Sequence, residues 1–507
     1  MLLKNRIIRD TLLLTVMQLC LDTASLFLNS YITHHLGASA MGILVLTGSF
    51  LGFAGILSNG NAFLCTSRLI SEELGKRNGS PERVLFHGIK LCLMMSVSVS
   101  IIIIMFSEKI SSSFFSGADI SQAIRFMPAA LIAGALSSCF KGYFNAVRKP
   151  SICAIGDTGE FLIRSGTVVL SSLRVVSHTE GTICNMMIRG IIAGNIFSLI
   201  FFGTAYFFCH NKNDNRCSLT FTQYAGFAFP IMGGGIMTTA LSSTNDALIP
   251  ICLRQRGDSV SEALSSFGIF EAIVIPALFF PSVILCSASG IIVSEAARTS
   301  ASGNKERIKR LTELITSGTM IYAVFVSAVL IRFGRVIGEM LGGGELAGDI
   351  IVHTAPVVPF IYMEIVLEAL IKGTGQQAFS SLNYLAEYII RISSVLIFVP
   401  MLGFTGIIIS YYASNMIGNT SRFIRLLKTT RMKFHPVRQI GIPVLYVFLT
   451  MNLCQLIIPC SSSGMNIPSA ISFVFIWGVL YLIMMCLLGK IKSLHMDTKL
   501  SVVQDAQ

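Results

Sequence analysis

Apolar stretches of roughly 20 residues, each long enough to cross ~30 Å of hydrocarbon, recur along this chain of 507 residues with polar segments between them. Their centres fall near residues 22, 54, 96, 132, 162, 197, 235, 283, 321, 361, 391, 413, 450 and 479, which predicts fourteen membrane-spanning helices. No long polar stretch breaks the series. The expected fold class is therefore an all-α integral membrane protein. Composition agrees, with 53% hydrophobic and only 13% charged residues. The first run follows Lys4, Arg6 and Arg9, but it is too long for a secretory signal and no small-x-small cleavage site closes it.

Basic residues predict the orientation. If the N-terminus is cytoplasmic, 28 of the 38 Lys and Arg fall in cytoplasmic segments and 6 in outer loops, with Arg125, Arg164, Arg189 and Arg391 inside spans. The positive-inside rule then puts both termini in the cytoplasm. The net charge of +12 needs no nucleic-acid partner, because basic helix ends lie against anionic lipid; Arg422, Arg425, Lys428, Arg431, Lys433 and Arg438 read as such a juxtamembrane belt. A dedicated basic docking site is the alternative. The thirteen cysteines, Cys20, Cys65, Cys92, Cys286 and Cys486 among them, lie mostly in apolar runs without metal-ligand spacing and read as packing residues. Cys184 and Cys460, both near outer loops, form the one candidate pair.

The chain contains an internal echo. Lys141-Gly142 followed by Glu160 and Arg164 recurs as Lys372-Gly373 followed by Glu387 and Arg391, at offsets of 231 and 227 residues. The stretches Ile70-Ser71-Glu72 to Glu82-Arg83-Val84 and Val293-Ser294-Glu295 to Glu306-Arg307-Ile308 repeat at 223 to 224. Glu and Arg four apart share a helix face, so each pair is expected to neutralise itself where a lone charge costs at least ~2.5 to 3.5 kcal/mol. Spans one to six then map onto spans seven to twelve. The expected organisation is a six-helix bundle at 1–220, a second at 221–435, and an extra helix pair with a cytoplasmic tail at 436–507. An even repeat of this kind places the substrate path between bundles.

Here the chain resembles a known family. Phe140-Lys-Gly-Tyr-Phe-Asn145, then Pro150, then Glu160 and Arg164 look like helices four and five of the stage V sporulation protein B and polysaccharide-export branch of the multidrug/oligosaccharidyl-lipid/polysaccharide exporter superfamily. Asn245-Asp246, Pro276, Phe280-Pro281, Lys372-Gly373-Thr-Gly375, and Ile390-Arg391 through Pro400-x-x-Gly403-x-x-Gly406 fall in the same order. The resemblance spans roughly residues 10 to 490. It implies two six-helix bundles working by alternating access in a bacterial plasma membrane, as a monomer. Drug and cation exporters of this fold usually have twelve helices and lipid-linked saccharide flippases fourteen. The lipid II flippase resembles a cationic funnel with arginines in its first two helices; span one here has none.

Charges inside spans supply the candidate site. Asp22 stands near the middle of span one with Gln18 and Leu26 one turn away, and reads as either an ion-coupling or a helix-packing carboxylate. Asp157, Glu160 and Arg164 share one face of span five. Glu364, Glu368 and Lys372 form a stripe in span ten, and Arg189, Asp246, Glu271, Glu387 and Arg391 complete the substrate- or ion-path candidates. Gly233, Gly234, Pro276 and Pro281 are the hinge candidates, since the prolines remove backbone donors and the glycines, with Gly235, let a helix bend or a neighbour approach.

Three functions fit to different degrees. The first is a flippase or exporter of an undecaprenyl-linked saccharide, the polar head in the cleft and the tail in lipid along the last two helices. It needs no ATP loop, as no G-x-x-x-x-G-K-[ST] is present, and no cofactor or metal is expected. The second is a MATE-type drug or cation antiporter coupled to protons or sodium, which the excess of acidic over basic residues inside the spans favours. The third is a membrane-embedded transferase, for which the His34-His35 pair has no acidic companion nearby. The expectation is a transporter and not an enzyme.

Overall fold

The computed structural model describes residues 2–74, 80–115, 120–173, 180–209, 220–457 and 467–504, with side-chain surroundings for 16–74, 80–115, 120–173, 181–209, 220–456 and 469–487. The described residues form helices and turns, and each of the fourteen expected centres falls inside a helix. Eleven of the helical spans are long and apolar enough to cross a membrane. The other three are Leu2–Leu36, Pro150–Ser172 and Phe404–Thr430. These three hold Asp22, the Asp157, Glu160 and Arg164 face, and Arg422, Arg425 and Lys428, so their polar content reflects where charge is placed.

Two compact units can be separated, one of Met1–Pro276, Leu341–Gly343 and Tyr388–Tyr411, the other of Ala277–Met340, Gly344–Glu387 and Tyr412–Gln507. This grouping follows proximity and not the sequence repeat. Boundaries at 220 and 435 therefore stay a proposal about the repeat.

The repeated glycines occupy matching crossings. In the first unit a Cβ on Gly142 would lie 2.8 Å from the carbonyl oxygen of Phe63. In the second, a Cβ on Gly373 would lie 2.7 Å from that of Val293. Phe63 and Val293 are 230 residues apart and the glycines 231. The same helix pair is thus clamped backbone to backbone in both halves, which only glycine permits.

The hinge candidates divide. Gly233 and Gly234 face open space on an unbroken helix, Phe221–Arg256, whereas a Cβ on Gly235 would lie 3.0 Å from Asn61 Nδ2. Close approach therefore belongs to Gly235. After Val260–Ile269 the chain passes through a π-turn (Phe270–Val274), a short helix (Ile275–Phe279) and a 3-10 turn (Phe280–Ser282) before Val283–Ala301. Pro276 and Pro281, which cannot donate a backbone N–H, account for this broken register. In the second unit the phenols of Tyr362 and Tyr322 donate to the carbonyls of Leu278 (3.0 Å) and Pro281 (2.8 Å). Two carbonyls of the irregular stretch are thereby satisfied inside the protein, as hydrocarbon requires.

The last two helices, Ile442–Ile457 and Ile467–Gln504, pack on Lys305–Met340. Trp477, fully buried, donates to Thr450 Oγ1 at 3.0 Å, and Tyr481 donates to the Ile321 carbonyl at 3.1 Å. Phe325 stacks on Tyr481 with ring centroids 5.4 Å apart. Aromatic burial with satisfied polar tips is what fixes this pair.

Candidate functional site

Within the first unit, helices Ala38–Asn59, Met127–Ala146, Pro150–Ser172 and Glu180–Cys209 surround a cavity of about 420 Å³. Pro150 starts its helix, and two turns of that helix then carry Asp157, Glu160 and Arg164 along one side. Lys141, Glu160 and Arg164 line the cavity, as do Asn59, Asn195 and Ser198. Lys141 Nζ lies 2.6 Å from Asp157 Oδ1. Among the described residues no ion pair joins Glu160 to Arg164; the guanidinium lies 5.8 Å from the Phe161 ring. The expected self-pairing is corrected here. Spacing put both on one face, but a polar cavity beside them removes the need to neutralise each other. With Lys141 against Asp157 and Glu160 beside Arg164, the formal charges of the four sum to zero.

The second unit fills the matching place. Gly194-Asn195 on Glu180–Cys209 recurs as Gly418-Asn419 on Phe404–Thr430, 224 residues on, so Ser198 corresponds to Arg422. Ser198 lines the cavity, whereas Arg422 is 1% exposed. Its guanidinium lies 3.3 Å from Glu364 Oε1, 3.4 Å from Glu368 Oε2 and 2.9 Å from Glu387 Oε2, and donates to Asn419 Oδ1. Glu368 also takes Lys372 at 3.1 Å and the Ser380 hydroxyl. The reading of Arg422 as part of a juxtamembrane belt is thus overturned. Three carboxylates from two other helices hold it inside, because a buried guanidinium requires paired and hydrogen-bonded neighbours. The sequence signal for it was the Gly-Asn repeat.

A third set lies in the first unit. Asp246 accepts from the Ser49 hydroxyl at 2.6 Å and from Asn245 at 3.4 Å. Glu271, placed by the π-turn, is within electrostatic range of Asp246 and Arg391. Arg391 lies 5.2 Å from the Tyr388 ring and 5.0 Å from the Tyr411 ring. Spacing alone named Asp246, Glu271 and Arg391 but did not bring them together; the π-turn and Ser49 were not legible.

The remaining candidates stand apart. Asp22 accepts from Gln18 at 2.9 Å, one turn away. Arg189 is exposed on its helix, outside the cavity lining. Arg125, expected inside a span, falls within the candidate span Ser121–Ala146, at the end of its short first helix Ser121–Ile124 and 3.4 Å from Glu108. Cys184 is buried, 3.4 Å from Thr47 Oγ1, and Cys460 lies outside the described residues. Among the described residues no group of His, Cys, Asp and Glu has the arrangement of a metal site.

The MatE family profile matches residues 15–156. No curated protein matches the sequence. Among solved structures, the lipid II flippase MurJ in an inward closed conformation is similar with a TM-score of 0.69 and 14% identity, covering 94% of this chain and 99% of that one. A multidrug resistance MATE family transporter of the MOP superfamily, in an inward-facing conformation, gives 0.62 and 14%, covering 81% and 94%. The Vibrio cholerae MATE transporter VcmN in its bent form gives 0.54 and 12%, covering 83% and 98%. The chain thus carries a MatE match near its N-terminus and, along nearly all its length, the multi-pass helical fold seen in MurJ and in MATE transporters.

Proposed function

We propose that this protein is an alternating-access exporter or flippase that moves a lipid-linked saccharide from the inner to the outer leaflet of a bacterial plasma membrane. One observation carries the reading. Alongside the added helix Ile442–Ile457, between Lys305–Met340 and the Val358–Gly373 segment, runs a groove of about 1020 Å³ lined by Met320, Val324, Pro359, Val447, Phe448 and Met451. Arg332 and Arg335 stand towards its Met340 end. The apolar length of this groove, built with the first helix of the C-terminal pair, suits a long hydrocarbon tail; its polar end mixes Arg332 and Arg335 with Glu339, and Arg335 lies 2.8 Å from Asp349. A helix pair beyond the six-plus-six repeat supports the polysaccharide-export branch over a twelve-helix drug exporter.

The first-unit cavity, with hydroxyls, amides and balanced charges, suits a polar head of low net charge. Pro276, Pro281 and the glycines of Phe221–Arg256 are the proposed bending points. An inside-negative potential moves a phosphorylated lipid outward with about 2.3 kcal/mol per charge per 100 mV, so the drive need not come from an ion.

A second reading has its own support. Asp22, and Asp246 with Glu271 beside one Arg391, supply more carboxylate than base, as a proton- or sodium-coupled drug or cation antiporter would use. Purified protein in liposomes with either an imposed potential or an imposed pH gradient separates the two. The flippase reading expects potential-driven movement of a lipid-linked saccharide, near normal in Asp22→Asn. Potential-independent, pH-driven uptake of a small cation that Asp22→Asn abolishes would replace it with the antiporter.

A further inference from the structure

Phe404–Thr430 presents two faces. One holds Arg422 and Leu426 inside the second unit. The other, with the start of Gln377–Leu402, forms an open groove of about 640 Å³ whose apolar wall is Phe379, Met416, Ile417 and Ile424. Met416, Ile417 and Ile424 are 45 to 52% exposed. At one end stand Arg425 and Lys428, and the lining contains no carboxylate.

Arg425 is held in place there. Its Nε donates to Gln376 Oε1 at 2.5 Å and its guanidinium lies over the Phe379 ring at 5.2 Å. Lys428, one turn further along, forms no ion pair among the described residues. Thr420 and Ser421 add hydroxyls about one turn, ~5.4 Å, before the basic pair. Along the helix the basic pair, with Ile424 and Phe379 beside Arg425, is followed by the two hydroxyls and then by Ile417 and Met416.

We infer that this groove is a binding site for one anionic glycerophospholipid, its phosphate on Arg425 and Lys428, its ester carbonyls at Thr420 and Ser421, and its acyl chain along Met416 and Ile417. Charge complementarity selects the phosphate, since two cations, Arg425 held in place and Lys428 beside it, meet no acid in the lining. The hydroxyl step selects a glycerol ester over a prenyl phosphate, which has no carbonyls to offer at that depth. Guanidinium preorganisation by Gln376 and Phe379 reduces the ordering that binding would otherwise require. The site is independent of what the protein transports.

The test counts lipid on the intact protein. Full-length protein in detergent is titrated with phosphatidylglycerol and, separately, with phosphatidylcholine, and bound lipids are counted by mass spectrometry of the intact complex. Wild type is expected to hold one phosphatidylglycerol more tightly than phosphatidylcholine. Arg425→Gln with Lys428→Gln is expected to weaken it roughly tenfold to thirtyfold, as two basic contacts near an anionic surface imply, while Arg425→Lys keeps most of it. Lys433→Gln with Arg438→Gln, at exposed positions outside the groove, is expected to leave it unchanged. Equal loss in both double variants would mean diffuse surface charge and overturn the site. So would equal binding of phosphatidylcholine, or displacement of phosphatidylglycerol by one equivalent of undecaprenyl phosphate.

Discussion

Arg422 Nη1 lies 2.9 Å from Glu387 Oε2, with both side chains almost wholly buried, at 1% and 3% exposure. The contact joins Gln377–Leu402 to Phe404–Thr430, and Glu364 and Glu368 extend it to Val358–Gly373. Arg422→Ala would leave buried carboxylates facing an empty space. Loss of one partner of such a set costs about 3 to 5 kcal/mol, so the variant is expected to unfold at markedly lower temperature in detergent. Arg422→Ala combined with Glu387→Gln and Glu364→Gln is expected to recover part of that loss. Thermal unfolding of Arg422→Ala matching wild type would show that the guanidinium contributes nothing to stability.

The paired glycine crossings predict paired effects. Gly142→Val and Gly373→Val each drive a Cβ against a carbonyl at under 3 Å, an overpacking worth about 1 to 3 kcal/mol. Both are expected to lower folded yield and thermal stability to a similar extent. Gly233→Ala and Gly234→Ala face open space and are expected to be neutral or slightly stabilising, by up to ~1 kcal/mol. A size-exclusion and thermal-shift comparison checks all four.

Cavity charges in the first unit should separate by partner. The swap Lys141→Asp with Asp157→Lys is expected to restore part of the transport lost in either single change, because those two groups touch at 2.6 Å. Glu160→Arg with Arg164→Glu is expected not to recover transport although protein level stays normal, since no ion pair holds them and both line the cavity. Substantial recovery by the second swap would restore the expectation that Glu160 and Arg164 neutralise each other.

Orientation follows from charge asymmetry and is testable by single-cysteine labelling in a cysteine-free background. Positions Lys305 and Lys433 are expected to react only from the cytoplasmic side, and Ser113, Arg256 and Gly343 only from outside. Labelling of position 433 from outside would mean that the path of spans twelve to fourteen is wrong.

The sequence by itself determined the helices. Apolar length answers to hydrocarbon thickness, which is a local property, so all fourteen centres could be placed before any packing was known. The repeat was equally legible, and Gly142 and Gly373 sit at the matching crossings it implied. The stripe of Glu368 and Lys372 does pair along its own helix, but charge pairing between helices was decided by tertiary structure. Arg422 near the end of an apolar run and Arg425 one turn on look alike in sequence, yet one is enclosed by three carboxylates and the other opens on a groove. Glu160 and Arg164 share a helix face, but whether charges on one face pair depends on what lies opposite, here a cavity with Lys141 and Asp157 already joined. A helix fixes which side chains point the same way; only its neighbours fix what they meet.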